Sequence, residues 1–305
     1  MSDDLDSQAA LSIVIPHYGD PALTLSLIDL LRAQRTERPM QLIVADDCSP
    51  MAFPQQHGVD VVRLPVNRGF GTAVNRGAEL ATHPLLMILN SDVVPEPNFI
   101  DDLVAAVRPH MPCVASPNLV EGERRGTTAS AAFPSAMPQV LNAMMPVVAW
   151  RQRRPGRTRV THGDEQTAWV AGACMLVRTE DYRRVGGFDE GFYMYSEDID
   201  LCRRLKDVGV RSFHAETVEL VHAHGGSSDL AKVSLWAAAS RFRYAEKWGF
   251  RGRLATGLAA ASLVNLLYNA ARRASGRDVR PIERLHYEWS MLRYGWSRQD
   301  PRDGR

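Results

Sequence analysis

MQLIVADDCSP, residues 40–50, reads as a short buried strand running into an acidic turn. The apolar run Leu42 to Ala45 is too short for a helix, and Asp46-Asp47-Cys48-Ser49-Pro50 has turn composition. Outward from this stretch the same grammar recurs. LSIVIP (11–16) is a β-branched run ending at proline, VDVVRL (59–64) follows, and PLLMIL (84–89) ends in Asn90-Ser91-Asp92. Between them, residues 22–34 put Leu23, Leu27, Leu30 and Leu31 on one helical face, and 70–82 also read as helix. Helix 98–108 and strand 112–116 continue the alternation. Strands alternating with helices predict parallel βαβ units in a doubly wound α/β sheet, whose ligands bind at the carboxyl ends of the strands.

The alternation breaks at 117–167. Scattered Gly and Pro, an apolar patch from Met137 to Trp150 and the cluster Arg151, Arg153, Arg154, Arg157 and Arg159 predict a long loop with a short helix. Order returns at 168–178 (AWVAGACMLVR) and in a helix at 197–208. Residues 230–248, 252–273 and 281–294 read as terminal helices.

The 305 residues, 45% apolar and 23% charged, can bury a sizeable core, which excludes a disordered or collagen-like chain. The net charge of +1 conceals a segregation: net −7 over residues 1–150, +2 over 151–250 and +6 over 251–305. Such asymmetry points to an acidic catalytic half and a basic flank near something anionic. No nucleic-acid partner is expected. None of the three lysines follows a GxxxxG run, which excludes a P-loop NTPase. Gly69-Phe70-Gly71 imitates a dinucleotide fingerprint, but Val74 stands at the third glycine position, against NAD. The four cysteines have no CxxC spacing and fit a reducing compartment. The acidic start MSDDLDSQAA is the reverse of a signal peptide, so a cytoplasmic location is expected.

Several strand-end residues carry candidate chemistry. Asp46 and Asp47 suit plain turn chemistry, or a carboxylate accepting from a nucleobase N–H or a ribose hydroxyl. Asn90-Ser91-Asp92 is a common turn; opposite a diphosphate, its oxygens would hold Mg²⁺ or Mn²⁺, which keep phosphate and water ligands and need few protein carboxylates. Ser196 reads as an N-cap for a helix whose first turn holds Glu197 and Asp198. Acids there favour the helix dipole in any case, while the glycine- and aromatic-rich lead-in GGFDEGFYMY suits a pocket wall and Asp198 as general base. His222 and His224 alternate onto one strand face before Gly225-Gly226, a metal or phosphate contact or a structural pair.

Six segments in order resemble the family 2 glycosyltransferases of GT-A fold, in particular a bacterial rhamnosyltransferase-like branch. They are SIVIPHYGD (12–20), VADDCSP (44–50), NRGFGTAVNRGAELA (67–81), LLMILNSDVVPEP (85–97), WVAGACMLVRTEDYRRVGGFDEGFYMYSEDIDLCRRLKDVG (169–209) and VHAHGGSS (221–228). The resemblance covers about residues 10–250. It implies a GT-A domain at 1–250, with a nucleotide-sugar half at about 10–116 and an acceptor half at about 117–250, then a basic helical region at 251–305. The fold implied is a Rossmann-like mixed sheet flanked by helices.

The resemblance also implies roles. Pro16 and Tyr18 would line the nucleobase pocket, Asp47 would bind the base with Asp46 beside it, and Arg68 and Arg76 would lie near the donor. Asp92 matches the last acid of a DxD-like metal and diphosphate motif whose first position here is Asn90, with Ser91 between. A neutral amide at that position makes for a weaker metal site. Asp198 matches the catalytic base of an ED motif that includes Glu197, and His222, or alternatively His224, would complete metal or diphosphate binding. The implied reaction is inverting transfer from a nucleoside diphosphate sugar, with Mg²⁺ or Mn²⁺, to a glycan or polyprenyl-diphosphate-linked hydroxyl in cell-surface polysaccharide assembly. A dTDP-linked rhamnose donor comes first, with UDP-linked galactose, galactofuranose or an amino sugar behind it. A sugar-nucleotide pyrophosphorylase, or a non-catalytic nucleotide- or glycan-binding relative, are the competing classes; residues 11–20 lack the Gly-rich basic loop the former needs.

Residues 254–271 carry no charge, are flanked by Arg251, Arg253, Arg272 and Arg273, and bear one polar stripe, Ser262, Asn265 and Asn269. Three readings stand: a membrane span, a packed or oligomer-forming helix, and a helix lying on an anionic membrane surface, which would make the protein peripheral at the inner face of the cytoplasmic membrane.

Overall fold

The computed structural model describes residues 9–121, 124–125, 129–130, 132–153, 165–222 and 230–298. They form two units: Met1–Phe133 with His162–Ser227, and Pro134–Thr161 with Ser228–Arg305. The division expected at residue 250 therefore falls earlier, and residues 134–153 join the C-terminal helices rather than the sheet.

The first unit begins β1 (Leu11–His17), α1 (Ala22–Arg32), β2 (Met40–Asp46), β3 (Val59–Arg63), α2 (Phe70–Glu79), β4 (Leu85–Leu89), β5 (Val93–Val94) and α3 (Phe99–Val107). It continues with β6 (Cys113–Glu121) and the two-residue strands β7 (Arg124–Arg125) and β8 (Ala129–Ser130). The second unit contributes α4 (Ala136–Ala143) and α5 (Met145–Gln152). The chain then returns as β9 (Glu165–Thr167), β10 (Trp169–Val170), β11 (Cys174–Arg178), α6 (Thr179–Arg184), α7 (Glu197–Asp207) and β12 (Arg211–His222). The last helices are α8 (Leu230–Lys247), α9 (Arg251–Ala274) and α10 (Pro281–Trp296).

The main sheet runs β3-β2-β1-β4-β11-β6-β12-β5. The first four strands are mutually parallel. β11 enters antiparallel between β4 and β6, and β12 lies parallel to β6 and antiparallel to β5. The sheet is thus mixed, and the purely parallel winding that the alternation suggests stops at β4. Residues of β1 are buried on both faces, which explains why the strand reads as a continuous apolar run. Alternation sends Leu11, Ile13 and Ile15 to the α1 and α3 side, against Leu27, Ile28 and Leu103. Val14 turns to the other face, with Val74 of α2 and Leu201 and Leu205 of α7. At Gly77 a β-carbon would stand 2.5 Å from Val14 Cγ1, so α2 rests on β1 at a distance that only glycine permits.

Where a long loop with one short helix is expected, two helices, α4 and α5, are found, and β6 extends to Glu121. Their apolar patch has no strand-like or long helical period of its own. Of the arginine cluster, Arg151 and Arg153 are described; Arg154, Arg157 and Arg159 lie outside the described residues.

In the second unit α9 is turned inside out. Ser262, Asn265 and Asn269 are buried, whereas Leu263 is 54% and Leu267 71% exposed. Asn265 explains the orientation. Its Oδ1 accepts from Met145 N–H (2.7 Å), and its Nδ2 donates to Ala143 O (2.9 Å) and Glu288 Oε1 (3.1 Å). One amide thus satisfies both the start of α5 and a half-buried acid of α10. Among the described residues α9 alone is long and apolar enough to cross a membrane.

Candidate active site

The parallel strands β1, β2 and β4 end at one edge of the sheet, and the expected acids gather there. β1 and β2 are in register from Leu11 and Met40 to His17 and Asp46. Asp46 is fully buried. It accepts from Ser49 N–H (2.7 Å), Phe53 N–H (3.1 Å) and the Arg63 guanidinium. Burial pushes its carboxyl up, but these hydrogen bonds outweigh it and hold it below the usual carboxylate range. Asp46 thereby organises its own turn. Asp47 points elsewhere: its two oxygens accept from the backbone N–H groups of Arg68 and Gly69, each at 2.7 Å. It ties the β2 end to the start of α2. A carboxylate has about four lone-pair sites, so capacity remains for a ligand donor.

Gly69 links that turn to the segment ahead of α7. Its φ is +92°, and a β-carbon there would lie 2.0 Å from the Tyr193 carbonyl oxygen. Only glycine permits the approach, which lets Phe70 N–H donate to Tyr193 O (3.2 Å). Two residues later Tyr195 and Ser196 both adopt left-handed backbone, φ 73° and 66°. Non-glycine residues are uncommon there, and each costs roughly 1–3 kcal/mol. The expected Ser196 N-cap is not formed: Ser196 sits at the cap position with no side-chain hydrogen bond to the helix. A left-handed residue aims its side chain away from the first-turn N–H groups, so the strained pair orients the next two residues instead.

Those residues are Glu197 and Asp198. Glu197 is buried against α2, its β-carbon near Gly71, and its Oε2 has no hydrogen-bond partner. Burial, and then the charge of Asp198, push its carboxyl up to about 8. Asp198 is partly accessible and accepts from Gly172 N–H (3.0 Å) and Ile199 N–H (2.8 Å). Burial raises its carboxyl above the usual range, opposed by those donors. Both carboxyls are thus raised, and a raised pKa makes Asp198, in its ionised form, a stronger base than a free aspartate.

Gly172 also connects Asp198 to the metal-type motif. It precedes Ala173, whose carbonyl accepts from Asn90 N–H (2.9 Å) at the end of β4. β11 pairs antiparallel with β4 from Cys174 and Leu89, and so brings this loop to the strand end. The pairing of His222 with Val93 then brings the β12 end over Asp92, with His222 Nε2 3.0 Å from Asp92 Oδ1. Asn90 Oδ1 is buried without a hydrogen-bond partner. An unpartnered amide oxygen, an accessible carboxylate and an imidazole nitrogen form a donor set that fits a divalent cation also taking phosphate oxygens. Among the described residues no group of three His, Cys, Asp or Glu side chains forms a cluster able to hold such an ion alone.

The remaining expected residues are spread along this edge. Pro16 pairs with Ala45 near the end of β1, Tyr18 is 58% exposed, and Ser91 is half-buried. The Arg68 guanidinium is exposed beside Asp47's anchor. Arg76 is ion-paired with Glu79 and with Glu190 (3.4 Å), toward the far end of α2. His224 lies outside the described residues. Two contributors escape motif reading. Gly172 matters through its N–H alone. Asn75 bridges α2 to the 187–190 turn, donating to Phe188 O (2.9 Å) and accepting from Phe188 N–H (2.9 Å) and Tyr182 Oη (2.6 Å). The only signal for either was its place within a glycine-rich stretch.

Comparison with known proteins gives the family and the fold. The family model "Glycosyl transferase family 2" matches residues 12–186, and "N-terminal domain of galactosyltransferase" matches 159–224. The chain is 29% identical to N-acetylglucosaminyl-diphospho-decaprenol L-rhamnosyltransferase of Mycobacterium tuberculosis (strain ATCC 25618 / H37Rv), over 90% of this chain and 98% of that one. It is 44% identical to rhamnosyltransferase WbbL of Escherichia coli (strain K12), over 27% of this chain and 32% of that one. The mannosyltransferase PcManGT of Pyrobaculum calidifontis, solved with GDP-Man and Mn²⁺, shares the GT-A fold at TM-score 0.55 and 18% identity, covering 95% of this chain and 86% of that one.

Proposed function

The chain belongs to glycosyl transferase family 2, and from that membership we propose that it transfers rhamnose from dTDP-rhamnose to a hydroxyl of a polyprenyl-diphosphate-linked glycan. The observation that carries the chemistry is the Glu197–Asp198 pair, in which a half-buried Asp198, held by the Gly172 N–H, stands beside a fully enclosed Glu197 and burial raises both carboxyls. The acceptor and sugar are taken from the relative matched along nearly its whole length.

In this reading Asp198 removes the proton of the acceptor hydroxyl as that oxygen attacks the anomeric carbon, with inversion. The Gly172 N–H holds the carboxylate in place. Neutral Glu197 keeps a second negative charge away from it. Tyr18, accessible at the end of β1, stacks on the base, and Asp47 accepts from it or from the ribose. Asp92, His222 and the Asn90 amide oxygen would hold a divalent ion, Mn²⁺ or Mg²⁺, whose positive charge would offset that of a diphosphate leaving group. The Arg68 guanidinium adds positive charge on the same edge.

The outer face of α9 supports a peripheral membrane location at the cytoplasmic face. It presents Leu263 and Leu267, and residues 251–277 carry five arginines and no acid. Such a face suits the interface of an anionic bilayer, where an acceptor on a lipid carrier resides. Flotation with vesicles containing anionic lipid at low salt tests it; a protein that stays at the bottom of the gradient removes this part of the proposal.

The test of the function is transfer itself. Purified protein is incubated with dTDP-rhamnose, Mn²⁺ and an N-acetylglucosaminyl-diphospho-lipid, and the lipid is weighed by mass spectrometry. A rhamnosyl adduct supports the proposal. An adduct only with another nucleotide sugar corrects the donor, and no adduct with any of them rejects it.

A further inference from the structure

The second unit holds a half-open cavity of about 1080 Å³ lined by α4, α5, α8, α9 and α10. Its walls are divided in character. Met145, Val148, Phe242, Leu258, Met291 and Leu292 supply apolar surface. Five arginines also line it: Arg153, Arg241, Arg272, Arg277 and Arg284, against one acid, Glu288.

Two of the five are committed. Arg284 donates to Glu288 (2.8 Å) and lies over the Tyr287 ring, and Arg272 lies over Tyr268 and donates to Asn269 (3.3 Å). The guanidinium groups of Arg153, Arg241 and Arg277 make no hydrogen bond or ion pair among the described residues. Protein packed around Arg241 pulls its pKa below the ordinary guanidinium value, although the residue keeps accessible surface. Arg153, Arg241 and Arg277 are solvent-accessible, and five guanidinium groups against one acid on a half-apolar pocket form a surface suited to an anion with an apolar tail. The cavity also accounts for the inverted α9, whose buried Ser262 and Asn265 line it.

We infer that this cavity is a binding site for a lipid diphosphate, its head held by Arg153, Arg241 and Arg277 and its first isoprenoid units by the apolar wall. Guanidinium forks match phosphate oxygens in pairs and give stronger hydrogen bonds than neutral donors. The volume is at the upper end for small-molecule pockets, so it takes a head and part of a chain. A free nucleotide or an acidic sugar would leave the methionines and leucines without a partner, and a neutral lipid would leave the arginines so. The choice of a diphosphate head over other lipid anions rests on the acceptor class proposed above.

The test uses the full chain in EDTA, titrated with farnesyl diphosphate below its micelle concentration and followed by calorimetry. Inorganic diphosphate and farnesol are titrated separately. The expected result is that farnesyl diphosphate binds about tenfold or more tighter than either part. Arg241→Glu and the loop variant Arg277→Glu should each weaken it about tenfold or more. The second variant sits on exposed backbone and keeps the test open if the first does not fold. Ala237→Trp, which fills the cavity, should also abolish binding. Asp92→Ala should leave it unchanged, and loss in that variant would move the binding to the donor site and overturn the inference. Equal affinity for farnesyl diphosphate and inorganic diphosphate, or indifference to both charge reversals, also overturns it. Transfer to a lipid acceptor without any farnesyl diphosphate binding sinks this site and leaves the proposed reaction standing. Binding without transfer leaves the site standing and counts against the reaction.

Discussion

Glu197→Gln should remove a pH penalty on folding. The wild-type carboxyl titrates at about 8 in the folded chain against a reference of 4.5. Between those values the native state holds a proton that the unfolded state has released. Native protein then binds more protons, so its stability falls as pH rises across the window. The slope is about 1.4 kcal/mol per pH unit for one group. From pH 5 to pH 7 the wild type should therefore lose up to about 3 kcal/mol through this residue. Glutamine is isosteric, neutral at every pH, and suits a site where one side-chain oxygen already lacks a partner. Urea unfolding followed by circular dichroism at pH 5, 6 and 7 gives the difference between the two proteins. The variant should gain on the wild type by about 2–3 kcal/mol across that range. Parallel pH profiles would refute the reasoning, since they would mean that Glu197 is ionised in the folded protein. Asp198→Asn, by deleting the neighbouring charge, should make the wild-type slope shallower.

Other consequences are equally open to measurement. Gly69→Ala places a β-carbon 2.0 Å from Tyr193 O at φ +92°, and should lower stability by more than about 1–3 kcal/mol; an unchanged melting temperature would count against this junction. Asp92→Ala should weaken nucleotide-sugar affinity in Mn²⁺ and leave affinity in EDTA unaltered, by titration calorimetry. Asn265→Leu removes the partner of Met145 N–H and of Ala143 O, while Glu288 keeps Arg284, so denaturation should reveal a loss of about 1–3 kcal/mol per orphaned group. A neutral result would show that water replaces the amide.

The strand ends were legible because β1, β2 and β4 are apolar throughout and stop at acids. That pattern alone puts Asp47, Asn90 and Asp92 on one edge. Sheet order was not legible. β11 reads like any buried strand, and nothing local says that it enters antiparallel between β4 and β6. The division of labour between Asp46 and Asp47 was hidden for a related reason: adjacent acids look alike until one is seen closing its own turn and the other holding α2. Ser196 misled because its type fits a cap while its backbone does not. In α9 the polar stripe could be read directly, but its direction could not. Which side faces inward depends on Met145 and Glu288, distant in sequence. For the same reason residues 134–153 gave no sign that they belong with the terminal helices.

The central claim is that Asp198 is the base of a glycosyl transfer. Turnover of Asp198→Asn with dTDP-rhamnose and the lipid-linked acceptor, measured beside donor affinity by calorimetry, tests it most directly. The account predicts a fall in turnover of about 10²-fold or more with donor affinity kept. Near-normal turnover in that variant would contradict it.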